Sequence, residues 1–299
     1  SRLSAQDLGF AVGPRLNAAG RLQDMSVGIR CLLADDLSSA RALAQELDGL
    51  NKDRRELEQD MVADAELLLA QVPKIDRNFG VAVYHERFHQ GVVGIVAGRL
   101  RERLHRPAIV FADSSEGAAG EIKGSARSID GLNIRDVLDT IATRYPGLLI
   151  KFGGHAMAAG LSLKHVHFER FRSIFDGVVS ELIDEDTLRA KCFVDGGLTE
   201  QELTLETVHT LFAAGPWGSG FPEPTFCDDF ELVSQRVVGA QHLKLVLRKE
   251  TRLVDAIAFR QPPLDQRIKR LRVVYRPARN DYGNTPTLQL IVEYVEPLA

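Results

Sequence analysis

Four short stretches of this 299-residue chain combine reactive residue types with suggestive spacing. In Gly124-Ser125-Ala126-Arg127-Ser128 a hydroxyl and a guanidinium alternate. At the end of a strand, that alternation puts Ser125 and Arg127 on one face. A hydroxyl beside a guanidinium fork is a seat for phosphate. In the stretch from Phe152 to Gly160, Gly153 and Gly154 allow positive φ and close backbone approach to a ligand. His155, next in line, is able to donate to a phosphate oxygen or act on a leaving group. Asn17-Ala18-Ala19-Gly20-Arg21 reads as a third loop, with small residues leaving room beside Arg21. Each has an ordinary alternative: a solvated edge arginine, a tight turn, a surface loop. Together, three Gly-plus-polar loops argue better for phosphate than any one alone. The fourth stretch, His85-Glu86-Arg87-Phe88-His89, matches H-E-x-x-H, which binds zinc only on a helix. Here it directly follows a strand-like run and meets Gly91, so a zinc protease is set aside. Gly218-Ser219-Gly220 lacks the preceding strand and following helix of a dinucleotide site and reads as a turn.

These stretches need elements to hold them. Residues 1–36 mix loop and helix signals, with Ser4 to Asp7 able to cap a short helix. From 38 to 72, Leu43, Leu47, Leu50, Leu57, Met61, Ala65 and Leu68 recur at helical spacing. Asp36 or Ser38 caps this helix and Pro73 stops it. It would be roughly 50 Å long at about 1.5 Å per residue, with a narrow apolar stripe suited to bridging two domains. Strand patterns at 81–84, 108–112, 121–128 and 156–163 alternate with helix patterns at 92–104, 133–143 and 168–183. That alternation predicts an α/β domain on a mixed sheet, with 114–120 as an inter-strand loop. After about residue 190 a helix at 203–213 precedes a Gly- and Pro-rich turn, then strands at 226–237, 243–248, 253–259, 271–275 and 287–294. The fold class is therefore α/β plus all-β, the second part a small barrel of the OB type.

Composition bounds the rest. The length allows two or three domains at roughly 100–200 residues each. A hydrophobic fraction of 44% with 26% charged residues is that of an ordinary globular chain, not a disordered or disulfide-stapled one. No apolar run approaches the ~18 residues of a membrane span. The three cysteines, Cys31, Cys192 and Cys227, are far apart and form no C-x-x-C pair. With nothing resembling a signal peptide, a reducing cytoplasm is expected. The chain opens on Ser1 with sequence of mid-domain character, so a piece of a longer protein is expected. The net charge of −4 hides an asymmetry. Between 236 and 279, twelve Lys/Arg face three acids, Glu250, Asp255 and Asp265, a local charge of +9. Basic strands interleaved with Phe259, Tyr275 and Tyr282 suit a single-stranded nucleic-acid groove, where cations track phosphates and rings stack on bases. The ordinary alternative is a solvated barrel face. Lys244, Arg248 and Arg276 are the named candidates for phosphate contact.

Taken together, Gly13–Arg21 with Leu22–Gly28, His89–Ile95, Gly124–Ser128, Phe152–Gly160, Gly215-Pro216-Trp217-Gly218 and Phe221-Pro222-Glu223-Pro224 resemble the C-terminal part of the RecJ family. These are single-strand-specific exonucleases within the DHH phosphoesterase superfamily. The resemblance implies the tail of a DHH catalytic domain at 1–36, a linking helix at 37–73, a DHH-associated domain at 74–189 and an OB-fold at 190–299. Relatives that cleave short oligonucleotides stop soon after Gly-Gly-His, whereas this chain continues well beyond His155 to residue 299. The resemblance further implies 5′-to-3′ hydrolysis of single-stranded DNA in repair and recombination, by a water activated on Mn2+ or Mg2+. The family's metal ligands include an Asp-His-His triplet that this sequence lacks, so no metal ligand is expected here and the chain by itself should be inactive. Arg21 and His155 would be catalytic, contacting the scissile or adjacent phosphate. Asn17, Ser125, Arg127, Ser128, Gly153 and Gly154 would anchor the strand end, and Lys244, Arg248 and Arg276 would grip the strand beyond. Single-stranded DNA is the implied partner, with single-strand binding protein or a helicase as further ones, no membrane, and a bacterial cytoplasmic location. Two other classes stay open: a non-catalytic single-strand binding module, and a short-oligonucleotide phosphodiesterase of the same superfamily.

Overall fold

The computed structural model describes residues 7–71, 77–114, 120–218, 220–239, 242–282 and 285–298. The Ser4 cap, the Pro73 stop and most of the 114–120 loop lie outside them. The chain divides into two units, Ser1–Ala190 and Lys191–Ala299.

In the first unit, a π-helical turn (Leu8–Val12) runs into α1 (Gly13–Leu22), followed by α2 (Ser26–Leu32) and α3 (Leu37–Ala70). The reading of 17–21 as a loop is thereby corrected. Pro14 falls in the first turn, where its missing N–H costs no hydrogen bond. Ala18 and Ala19 are fully buried in a cluster with Leu47 and Leu50 of α3. Small residues here permit close helix packing, not an open loop. Helix α3 is 34 residues long and capped by Asp36, whose carboxylate accepts from Ser39 N at 2.8 Å. Its second half, through Met61, Ala65 and Leu69, joins the core of the α/β part.

That part is a mixed sheet of order β1-β2-β3-β5-β4: β1 (Val81–Tyr84), β2 (Ala108–Asp113), β3 (Glu121–Arg127), β4 (Lys151–Gly154) and β5 (Ala158–Lys164). Only β1 and β2 are parallel, joined by α4 (Val93–Leu104). The strands obey the two-residue period. Val81, Val83, Ala108 and Val110 face α3 and α4, while Ala82, Ile109 and Phe111 face α5 (Ile134–Arg144) and α6 (Phe168–Leu182). Strand β4 is an addition: Lys151–Gly154 pairs with β5 as a hairpin, so Gly153 and Gly154 are strand residues and the turn comes after them.

The second unit places α7 (Leu205–Ala214) before five strands: β6 (Phe226–Val238), β7 (His242–Lys249), β8 (Arg252–Ala258), β9 (Arg270–Asn280) and β10 (Thr287–Leu298). They close into a barrel of order β10-β8-β7-β6-β9, with β8 and β10 parallel. Alternate residues fill it: Phe230, Leu243, Leu245, Leu247, Val254, Ala256, Leu271, Val273, Tyr275 and Leu290. Both the mixed sheet and the five-stranded OB barrel agree with the sequence reading.

Candidate phosphate-binding site

Strand β3 delivers Ser125 and Arg127 to the same face, as the alternation requires. Arg127 Nη1 donates to Ser125 Oγ at 3.0 Å and to Ala126 O at 2.8 Å. Both side chains lie over the first turn of α4. A Cβ on Gly94 would stand 2.9 Å from Arg127 Nη2 and 3.0 Å from Ser125 Oγ. The bare helix start therefore admits them, and the positive end of the helix dipole adds to the arginine.

Arg21, in the last turn of α1, reaches the same turn of chain and donates from Nη1 to Gly91 O at 3.0 Å. The backbones meet closely here. A Cβ on Gly91 would fall 2.0 Å from the carbonyl oxygen of Arg21, so only glycine fits. Asn17 is exposed one turn before Arg21, on the same helix face. A third arginine, Arg101 in the last turn of α4, adds positive charge that reaches Arg127 from farther off. Burial, and next the positive charges of Arg21 and Arg101, hold the Arg127 guanidinium below the ordinary arginine range. Among the described residues no carboxylate pairs with Arg127 or Arg21. Like charges drawn together in a half-buried place repel unless an anion joins them, so the arrangement is one that an anion would relieve.

Across the sheet the floor is bare. Ser125 opposes Gly160 on β5, and Gly160 opposes Gly153 on β4. A side chain at Gly153 would meet nothing within 4 Å, so this glycine keeps open space open. Gly154 is different. Its φ is 146°, and a Cβ there would lie 2.5 Å from both Ala158 O and Ala159 Cα. Only glycine allows β4 to turn there and present His155, whose backbone N donates to Ala158 O at 2.8 Å. Ala158 pairs with Arg127, so the exposed His155 sits about two strand spacings, ~10 Å, across from Arg127. Ser128 departs from expectation. It is 1% exposed and its hydroxyl donates to Leu132 O at 2.6 Å, so it closes a turn and faces no ligand.

The histidine pair of H-E-x-x-H lies in a turn, where His85 Nδ1 accepts from Arg87 N and His89 Nδ1 from Gly91 N. The sequence contains one further acidic spacing that suits a metal, Asp-x-Asp at Asp184-Glu185-Asp186. Asp184 there accepts from both the backbone and the hydroxyl of Thr187. Among the described residues no three His, Cys, Asp or Glu side chains are grouped to hold a metal. Mn2+ or Mg2+ therefore has no fitting donor set on these residues.

On the barrel the expected cations are engaged. Lys244 pairs with Asp255 at 2.6 Å, and Arg248 holds Glu231 with two bonds of 2.6 and 3.0 Å. Arg276 lies between Glu223 and Glu293. Arg272, Lys249, Arg267 and Arg279 are also paired, with Asp229, Asp228, Asp265 and Asp281. Acids outside 236–279 supply most of these partners, and the whole unit has 13 Lys/Arg against 14 Asp/Glu. The +9 segment is thus not an open cationic face. Arg236, Arg260, Lys269 and Arg270 are exposed and make no ion pair among the described residues. Of the three rings, Tyr275 is fully buried and its hydroxyl donates to Asp228 at 2.7 Å, which removes it from any stacking surface. Burial, then Asp228, pushes that phenol far above the ordinary tyrosine range. Phe259 and Tyr282 are exposed, Phe259 edge-on to His242 at 5.1 Å.

Comparison with known proteins gives a consistent result. A DHHA1 domain model matches residues 76–181, and a RecJ OB domain model matches 194–294. The single-stranded-DNA-specific exonuclease RecJ of Salmonella typhimurium is 46% identical over 304 residues, covering 99% of this chain and 52% of that protein. That of Bacillus subtilis is 31% identical over 294 residues, covering 96% and 36%. The crystal structure of Thermus thermophilus RecJ in complex with Mn2+ superposes with a TM-score of 0.80 at 27% identity, covering 99% of this chain and 42% of that one. The chain spans about half the length of the curated Salmonella relative.

Proposed function

The chain belongs to the RecJ family, over the part that carries the DHHA1 and OB domains, and on that premise we propose that it is the substrate-holding part of a 5′-to-3′ single-stranded-DNA exonuclease. One observation carries the reading: Ser125 and Arg127 close over the bare start of α4 with Arg21 alongside and, among the described residues, no carboxylate to neutralise them. This is a seat for the 5′-terminal phosphate. The Gly160–Gly153 floor then lets the sugar-phosphate backbone lie against the sheet on its way to His155. His155, exposed and without a side-chain hydrogen bond among the described residues, donates to or orients an oxygen of the scissile phosphate or its neighbour. The metal chemistry is assigned to a DHH domain, whose ions would supply the attacking hydroxide. We take residues 1–36 as the tail of that domain, 37–73 as the link, 74–189 as the DHH-associated domain and 190–299 as the OB-fold.

On the barrel, single-stranded DNA would meet the end of the β6–β7–β8 face. There Arg236 stands opposite Lys244 in register, and His242 packs on Phe259 and accepts from Arg260 N, so cations without an ion pair among the described residues and an exposed ring are available. No helix among the described residues is long and apolar enough to cross a membrane. The relatives named are bacterial, and a bacterial cytoplasmic location is our assignment.

The test is binding and cleavage by the purified chain. Labelled single strands should bind, and better with a 5′-phosphate than with a 5′-hydroxyl, while no Mn2+-stimulated digestion occurs. In a longer protein that includes the DHH domain, His155→Ala should lower turnover with metal affinity near normal. Digestion by the chain alone, or loss of metal affinity in His155→Ala, refutes the assignment.

A further inference from the structure

The face of the sheet that carries Ser125 and Arg127 continues past them. Ile122 and Ala126 of β3 and Ala159, Leu161 and Leu163 of β5 enter the core with α5 and α6. Their alternates, Lys123, Ser125 and Arg127 on β3 and Ala158, Gly160 and Ser162 on β5, therefore share the opposite face. Register sorts these residues into rows. Ser125, Gly160 and Gly153 form the row of the phosphate seat. The next row along the strands is Lys123, Ser162 and Lys151, with the serine between two lysines.

That row holds groups the fold does not use. Ser162 is fully buried, and its hydroxyl has no hydrogen-bond partner among the described residues. Buried hydroxyls are ordinarily bonded, so an orphan of this kind points to a ligand. Lys151 is exposed and makes no ion pair among the described residues. Lys123 is half-buried and already interacts within the fold, yet it brings a second positive charge to the row. The one acid that β3, β4 and β5 add to this face, Glu121, stands a row farther on, opposite Lys164.

Position decides the ligand. Two residues of strand separate the rows by about 6.6 Å, which the flexible stem of a lysine spans. His155 stands on the other side of the seat, since its N bonds Ala158 and Ala158 pairs with Arg127. A strand running from the seat to His155 thus leaves the lysine row beyond its 5′ end. The 5′ phosphate itself is answered by Arg127, Arg21 and the start of α4. What remains to be held at the row is a further phosphate joined to the first.

We propose that Lys151, Ser162 and Lys123 form a second phosphate subsite, which takes the outer phosphates of a 5′-di- or triphosphorylated single strand. The ammonium groups would pair with that phosphate and the Ser162 hydroxyl would donate to it. This deepens the proposed function and rests on its placing of the 5′ phosphate at Ser125 and Arg127.

The test measures binding of the full chain, without divalent cations, to one single-stranded oligonucleotide bearing a 5′-hydroxyl, a 5′-monophosphate or a 5′-triphosphate. The unaltered chain should bind the triphosphate several-fold more tightly than the monophosphate. Lys151→Gln should bring that ratio close to one and leave the preference for monophosphate over hydroxyl intact. Ser162→Ala should lower the ratio by a smaller factor, with thermal unfolding no lower than in the unaltered chain, because the hydroxyl has no bond to lose. A lower unfolding temperature would show that the hydroxyl is bonded within the fold and would remove it from the subsite. Arg127→Ala should abolish the advantage of the monophosphate over the hydroxyl. Equal binding of triphosphate and monophosphate by the unaltered chain overturns the inference, and the Arg127→Ala result then shows whether the seat stands. If Lys151→Gln weakens all three oligonucleotides equally, the row holds an internal phosphate and the inference falls. If Arg127→Ala retains the monophosphate advantage, the seat itself is misplaced and both fall. Circular dichroism checks folding, and a misfolded Lys151→Gln leaves Ser162→Ala and the unaltered chain's own ratio to decide.

Discussion

The two regions proposed to touch DNA are both rich in arginine, and they differ in what the arginines face. Beside the start of α4, Arg21 and Arg127 have no carboxylate paired with either of them among the described residues. On the barrel, Lys244, Arg248, Arg272 and Arg276 each hold an acid from a neighbouring strand or loop. Exposed ion pairs of this kind contribute little stability. Their effect is to remove charge from a surface whose linear sequence is strongly basic. A count of cations along the chain therefore overstates the barrel and understates the sheet.

The comparison is broken most severely by disturbing the backbone that builds the first region. Gly154→Ala adds a Cβ to a residue with φ of 146° and against the backbone of Ala158 and Ala159. Strain and overpacking should together cost about 3 kcal/mol or more. Thermal unfolding of the first unit should drop accordingly, whereas Gly153→Ala, with open space around it, should leave unfolding nearly unchanged. Next, Arg127→Ala should weaken binding of 5′-phosphorylated single strands by about 1–3 kcal/mol, the range for a charge-assisted hydrogen bond. Titration with fluorescent oligonucleotides measures it. A comparable loss in Arg248→Ala would mean that pairing with Glu231 does not distinguish the two regions. Tyr275→Phe should cost about 1.5 kcal/mol in barrel stability, for a lost bond to a carboxylate, with no change in affinity for DNA. Weaker DNA binding by a stably folded Tyr275→Phe would return the ring to the binding surface. The smallest effects concern salt. Arg236→Ala with Arg260→Ala should flatten the plot of log affinity against log salt by about 1.4, at about 0.7 per phosphate contact on a single strand. Glu231→Gln, which releases Arg248, should steepen it by no more than about 0.7.

Much of the fold was legible because it is written in local periods. The heptad-like recurrence from Leu43 to Leu68 made α3 visible, and the alternation Ile122, Gly124, Ala126 made β3 visible, since helix and strand faces repeat every 3.6 and 2 residues. The pairing of Ser125 with Arg127 followed from that same period. Helix α1 was hidden because Gly13, Pro14 and Gly20 carry loop signals, which the burial of Ala18 and Ala19 against α3 overrides. Strand β4 was hidden because Gly153 and Gly154 have no strand preference of their own and are held by the ladder to β5. Ser128 looked available because no local pattern shows that Leu132 O will take its hydroxyl.

What the sequence by itself determined is the order of parts, the faces of each strand and helix, and the family to which the chain belongs. These depend on neighbours along the chain and on motifs that survive as short strings. What only the tertiary structure decided is which charges remain available. Arg127 lies over the start of α4 because that helix packs on β3, and Arg276 is neutral in effect because Glu223 and Glu293 arrive from distant segments. Electrostatic energy depends on distance in space and on burial, and neither is a property of position along the chain.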